Sequence, residues 1–168
     1  MPSGLSVSHF KLEPKQNRTA LEPIFDEERP LGRTGDMRTW YTTKPTIVSQ
    51  KSHISHVVGD AAWEGYAANV FERSGRVRCY AKNDNLGFHI FYMWNGSRRR
   101  YVPDFIVSNR NEDTLVLQIK GQKSPQNDAK HAALEEWIAA INGDLRFGKW
   151  SWAVAYMPVE VDDIVAKL

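Results

Sequence analysis

Cysteine is almost absent from this chain. Cys79 is the only one among 168 residues, which excludes an intrachain disulfide framework and any zinc site built from several thiolates, and it fits a reducing cytoplasm. Long apolar runs are lacking too: none approaches the roughly 18 residues of a membrane span. The start, Met1-Pro2-Ser3-Gly4, lacks the basic-then-apolar order of a signal peptide. Neither sign of charge dominates, since 22 Lys and Arg face 20 Asp and Glu for a net +2, so a bulk polycation is excluded. No Gly-x-x-x-x-Gly-Lys-[Ser/Thr] phosphate loop, Gly-rich dinucleotide fingerprint, Ser-His-Asp or Cys-His arrangement stands out. What is present, 42% hydrophobic and 25% charged residues, suits one globular domain with a self-sufficient core. The expectation is a soluble, cytoplasmic protein with no membrane contact.

The charge is uneven along the chain. From Arg73 to Lys149 there are 13 Lys and Arg against 8 Asp and Glu, a local balance of +5. A basic middle in a nearly neutral chain points to an anionic partner at one surface; the competing reading is a solvated face. Arg98, Arg99 and Arg100, with Lys82, Arg110, Lys123, Lys130 and Lys149, are the candidates for tracking the phosphates of a nucleic acid.

Residues 1–52 carry Pro2, Pro14, Pro23, Pro30 and Pro45 and few periodic apolar positions, and read as an extended N-terminal arm or linker. Residues 53–168 read as the domain. Ala62, Trp63, Tyr66, Ala67, Val70 and Phe71 make one helical stripe, capped by Asp60 and stopped at Ser74-Gly75. Strand patterns follow over 77–82, 88–94, 99–107 and 114–120, with a type I′ turn at Asn95-Gly96. Ser124-Pro125 opens a second helix whose stripe is Ala133, Trp137, Ile138 and Ile141, and Asn142-Gly143 closes it. A last strand over 147–156 and a short helix over 159–168 complete an α/β chain with a mixed sheet. Trp63, Trp94, Trp137 and Trp152 read as core, Cys79 as a small core residue, and His53 with His56 as a surface turn.

The chemistry concentrates in Tyr101-Val102-Pro103-Asp104-Phe105-Ile106-Val107 and Leu115-Val116-Leu117-Gln118-Ile119-Lys120-Gly121. Pro103 cannot donate to a ladder, so it bends or frays the strand where Asp104 sits. Gln118 and Lys120, two apart, share one strand face, while Leu115, Leu117 and Ile119 anchor the other. A carboxylate beside an amide oxygen and an ammonium is an oxygen-rich setting for a hard cation such as Mg²⁺. A Pro-Asp pair alone is common in turns, and a Lys ending a strand is usually a solvated cap. Joined to a helix bearing Glu64, the combination is far more specific.

This constellation resembles the PD-(D/E)xK nuclease superfamily, and most closely the C-terminal endonuclease domain of type III restriction enzyme restriction subunits. Thr43-Lys44-Pro45, Lys51-Ser52-His53, Trp63-Glu64, Lys82-Asn83, Leu86-Gly87-Phe88, the two stretches above, Lys130, Trp137, Asn142 and Arg146-Phe147-Gly148 are similar in order and spacing, over about residues 40–157. The resemblance implies a restriction-endonuclease-like core with a mixed central β-sheet flanked by helices. It implies a Mg²⁺-dependent DNA endonuclease, Mn²⁺ substituting, with Asp104, Gln118, Lys120 and Glu64 catalytic. Asp104, Gln118, the Ile119 carbonyl and Glu64 would hold the metal. Double-stranded DNA, a helicase/ATPase motor and a modification methyltransferase are the implied partners, and the arm would be the remnant of a connection to the motor. Two departures stand out: Gln118 replaces the usual carboxylate, and the motor's phosphate loop is missing. Both favour the alternative, a catalytically weak DNA-binding or assembly module retaining the nuclease fold.

Overall fold

The computed structural model describes residues 6–7, 10–14, 21–25, 32–37, 39–59, 61–119 and 123–168. Asp60, expected to cap the first helix, and Lys120, expected to be catalytic, lie outside the described residues, as do Gly121 and Gln122.

In the arm, the strands β1 (Ser6–Val7), β2 (Phe10–Pro14), β3 (Leu21–Phe25) and β4 (Gly32–Arg33) pair antiparallel, β1 with β4 and β2 with β3. Next, β5 (Thr46–Val48) pairs antiparallel with β6 (His56–Val58). The boundary expected between residues 52 and 53 therefore runs through the loop of this hairpin. That loop is held from the domain side: the Glu72 carboxylate accepts from the Ser49 hydroxyl and from the Gln50 and Lys51 backbone N–H groups.

Helix α1 (Ala62–Arg73) buries Ala67, Ala68, Val70 and Phe71, and ends where the Ser74 N–H reaches the Val70 carbonyl at 3.0 Å. Tyr66, expected on the buried stripe, lies at its margin and donates to Asp162 at 2.5 Å. Then come β7 (Val77–Lys82), β8 (Ile90–Trp94), β9 (Ser97–Tyr101), β10 (Phe105–Asn109), β11 (Thr114–Ile119), α2 (Pro125–Asn142), β12 (Trp150–Ala155) and α3 (Glu160–Val165). The hairpin β8–β9 turns at Asn95 (φ 49°) and Gly96 (φ 72°), the left-handed pair that a type I′ turn demands. Ser124 caps α2 by accepting the Asn127 N–H at 3.2 Å, with Pro125 in the first turn.

Four strands form the central sheet in the order β12-β11-β10-β7, parallel between β12 and β11 and antiparallel elsewhere. It is a mixed sheet with helices on both faces. On one face, α1 and α3 pack over Tyr80, Phe105, Val107, Leu115, Leu117 and Ile119. On the other, α2 and the β8–β9 hairpin pack over Ala81, Ile106 and Val116, burying Ile90, Tyr92, Tyr101, Leu134 and Ile141. Phe71, Tyr80 and Phe105 meet as tilted and edge-on rings, 5.0 and 5.3 Å apart around Phe71; each such burial stabilises by roughly 1.5–3 kcal/mol. Trp137 is buried and Trp63, Trp94 and Trp152 pack partly against these clusters; Cys79 is half-buried. Among the described residues, no helix is long and apolar enough to cross a membrane.

The third strand expected from the sequence is two strands. The chain leaves the β8 hairpin at Tyr101, breaks at Val102-Pro103-Asp104 and rejoins the central sheet at Phe105. This break positions the site.

Candidate active site

Four segments meet at the break. Asp104 lies just before β10, Glu64 stands in the first turn of α1, Lys82 ends β7, and Asp84 lies two residues further on. Asn83 fixes the break from the neighbouring strand: its N–H reaches the Asp104 carbonyl at 2.8 Å, and its side-chain amide donates to the carbonyls of Phe88 at 2.8 Å and Pro103 at 2.9 Å. The Asp104 carboxylate in turn accepts the Ile119 N–H at 2.6 Å.

Lys82 is only 4% exposed, which corrects its place among the phosphate-tracking residues: a buried ammonium cannot meet a phosphate at the surface. Tyr80 and Lys82 share one strand face, turned towards α1. The Lys82 ammonium lies 3.0 Å from Glu64 Oε2 and 3.1 Å from Asp84 Oδ2, and donates to the Val58 carbonyl at 2.8 Å. Asp104 belongs to the same electrostatic group. Burial pushes its carboxyl up to about 6, the charges of Glu64 and Asp84 push the same way, and the Ile119 N–H and Lys82 oppose them.

Gln118 lies on the α2 face, as alternation with Leu117 and Ile119 requires. Its amide oxygen accepts from the Tyr101 hydroxyl at 2.8 Å and from His131 Nε2 at 3.2 Å. An amide oxygen has two lone pairs, and both are engaged, so as the side chains stand Gln118 offers none to a metal. Burial, reinforced by the Asp104 charge, raises the Tyr101 pKa and keeps the phenol a donor. Burial also holds the His131 imidazole below its ordinary value, against the pull of Asp128. Lys130 Nζ bonds Asn127 at 2.9 Å and stands 5.9 Å from the Tyr101 ring centroid, beside this second polar group. Asp104 thus stands between a charged cluster on the α1 side and a neutral hydrogen-bonded one on the α2 side.

The other basic candidates are at the surface. Arg98, Arg99 and Arg100 are all exposed on β9, with Arg98 stacked 3.7 Å over Phe91 and Arg100 at 5.9 Å. Lys123 is exposed, 6.0 Å from the Tyr156 ring centroid. His53 and His56 face different partners, Thr34 and Ser55. A groove of about 770 Å³ between the β8–β9 hairpin and α2 is lined by Phe91, Met93 and Ala133 among others, and by no candidate catalytic residue.

Asp84 and His131 escaped the sequence reading, and Tyr101 entered it only as the first residue of the Asp104 stretch, with no role of its own. Asp84 had a usable signal, because it follows Lys82-Asn83 at a strand end beside the strand that carries Asp104. His131 and Tyr101 had none, since their pairing depends on how α2 crosses the sheet.

Among the described residues, no group of three or more His, Cys, Asp and Glu converges as a ready metal cluster, with Lys82 lodged between Glu64 and Asp84. Oxygen donors of the kind a hard divalent cation takes are nonetheless present: the charges of Glu64 and Asp84 act on the Asp104 carboxylate, with the Lys82 ammonium among them. No family model, curated protein or solved structure matches the chain.

Proposed function

We propose that the chain is a Mg²⁺-dependent DNA endonuclease domain with a restriction-endonuclease-like fold, hydrolysing phosphodiester bonds as part of a type III restriction–modification system. The observation that carries this reading is the half-buried Asp104 carboxylate in one electrostatic group with Glu64 and Asp84, at the point where Pro103 breaks the strand. Asp104 and Glu64, with the Ile119 carbonyl, would hold the ion. When bound, Mg²⁺ supplies Lewis acidity towards a phosphoryl oxygen. Asn83 and the Ile119 N–H keep the Asp104 carboxylate aimed, so little reorganisation is needed on binding. Lys120, two residues beyond Gln118 in sequence, is assigned the orientation of the attacking water and the balancing of charge on the phosphate. Gln118 supports the site from the α2 side through Tyr101. Arg98, Arg99, Arg100, Lys123 and Lys130 would follow the backbone of double-stranded DNA, and the helicase motor and methyltransferase would deliver the site to it.

A second reading has its own support. Lys82 already answers Glu64 and Asp84, and the Gln118 oxygen is fully engaged, as in a purely structural polar network. That favours a catalytically weak DNA-binding or assembly module. Supercoiled plasmid incubated with Mg²⁺ or Mn²⁺ separates the two. Nicking by the wild type and not by Asp104→Ala supports the nuclease; DNA binding by both without nicking supports the module.

A further inference from the structure

We propose that the exposed face of the β8–β9 hairpin, with the groove it shares with α2, holds an unpaired DNA strand, its bases against Phe91 and its phosphates on Arg98 and Arg100. The inference rests on the DNA-binding reading above and narrows the partner at this face from a duplex to a single strand.

The face follows from strand alternation. Ile90 and Tyr92 are buried, which turns Phe91 and Met93 outwards at 37% and 61% exposure. The ladder sets Arg100 opposite Phe91 and Arg98 opposite Met93, so two apolar and two guanidinium side chains share one surface. The Arg98 guanidinium stands 3.7 Å from the Phe91 ring centroid, and that of Arg100 stands 5.9 Å away. Such a surface matches what a single strand presents and a duplex hides. An unpaired base has a π-face that stacks on an aromatic ring or a guanidinium plane, and each nucleotide brings a phosphate for an arginine. A duplex keeps its base faces inside its own stack, so it would use the arginines and leave Phe91 and Met93 against charged backbone. The groove fixes how the strand lies. At about 770 Å³ it has the size of a ligand cleft, with Phe91, Met93 and Arg98 on one wall and Ala132, Glu135 and Glu136 of α2 on the other. Glu135 and Glu136 are exposed and repel phosphates. The backbone therefore runs on the arginine side and the base edges turn to α2, where an exocyclic amino group can donate to either carboxylate.

The test is fluorescence anisotropy of the full chain in EDTA with three labelled probes of equal length: a single-stranded oligodeoxycytidine, its abasic counterpart, and the oligodeoxycytidine paired with its complement. Wild type should bind the single strand roughly tenfold more tightly than the abasic strand, the effect of one stacked base. Phe91→Ala should cancel most of that difference and leave abasic and duplex binding unchanged, whereas Phe91→Trp should keep it. Wild type binding the single strand no more tightly than the abasic one, or Phe91→Ala weakening all three probes equally, overturns the inference and leaves DNA binding standing. Binding to none of the probes overturns both. Should Phe91→Ala fail to fold, Phe91→Leu decides: it keeps apolar bulk without a π-face, and undiminished preference for the single strand in that variant overturns the stacking role.

Discussion

The Asp104 carboxylate accepts the Ile119 backbone N–H at 2.6 Å and so closes the gap that Pro103 leaves between β10 and β11. The register pairs Phe105 with Leu117, so two residues further along Pro103 would face Ile119. Pro103 has no N–H to give, and its carbonyl is taken by Asn83. The Ile119 N–H finds a side chain in place of a strand. One residue thus mends the sheet and presents a half-buried carboxylate at its end.

Asp104→Asn and Asp104→Ala should therefore separate structure from activity. Asparagine keeps an acceptor for the Ile119 N–H, while alanine leaves that buried donor unpaired at about 1–3 kcal/mol. Denaturant unfolding should rank alanine below asparagine, and plasmid nicking should be lost in both. Nicking by Asp104→Asn at the wild-type rate would place the reaction elsewhere.

Asn83→Ala removes the clamp rather than the carboxylate. The Phe88 and Pro103 carbonyls each lose a buried donor, a loss of roughly 1–3 kcal/mol each. Unfolding midpoints should drop accordingly. Nicking should fall more than thermal stability alone accounts for at a temperature where the variant remains folded.

Much of this frame is legible in the sequence, and the reasons are local. Asn95-Gly96 dictates a I′ hairpin and Ser124-Pro125 dictates a helix start, because each follows from the backbone chemistry of one or two residues, whereas Pro103 announces only a bent strand and the structure divides that strand in two. Lys82 shows where locality fails. Its alternation with Tyr80 was readable, yet whether that face meets solvent or α1 is settled by the helix that covers it. A bulge at Ser108/Asn109 also shifts the phase of β7, so that Val77 and Tyr80, three apart, face the same core. Gln118 shows the same failure from the other side: its face was readable, its two donors from β9 and α2 were not.

Glu72 should govern acid stability where α1 holds the loop between β5 and β6. Burial raises its pKa, but hydrogen bonds from Ser49, the Lys51 N–H, Tyr80 and the Gln50 N–H outweigh this and bring it below the ordinary 4.5. A depressed carboxylate stabilises the fold above its unfolded pKa, and that stability is lost as pH falls through the folded one. Wild type should lose stability below about pH 4.5 more steeply than Glu72→Gln, with little difference in slope above it. Parallel pH profiles in urea unfolding would remove Glu72 from this role.

Arg98 and Arg100 share the face of Phe91, opposite Arg100 in the ladder, while Arg99 pairs with Tyr92 on the other face. If this face meets DNA, Arg98→Ala with Arg100→Ala should lower the slope of log affinity against log salt by up to ~2, and Arg99→Ala by less than half of that. Fluorescence anisotropy between low and moderate salt measures both. Equal effects of the pair and of Arg99 would mean that β9 does not present one face to the backbone.

Gln118→Glu restores the carboxylate usual in the resembled family, and the geometry makes its effect specific. The new charge would sit where the amide oxygen now accepts from Tyr101 at 2.8 Å and His131 at 3.2 Å. A carboxylate so close to an imidazole favours the imidazolium, so the His131 pKa, now held down by burial, should rise. A base with a raised folded pKa stabilises the fold below its unfolded pKa, and loses that contribution as pH rises through the folded value. The variant should therefore gain stability relative to wild type towards pH 5.5, and lose the gain above neutrality, where the half-buried carboxylate has no charged partner. Nuclear magnetic resonance titration of the His131 ring protons reads the shift directly. Mg²⁺ half-saturation should change little, because the added oxygens remain committed to the α2 side. A tenfold gain in Mg²⁺ affinity with an unmoved His131 would show instead that this side chain turns to the ion, and the metal site would then have to be rebuilt around position 118 together with Asp104 and Glu64.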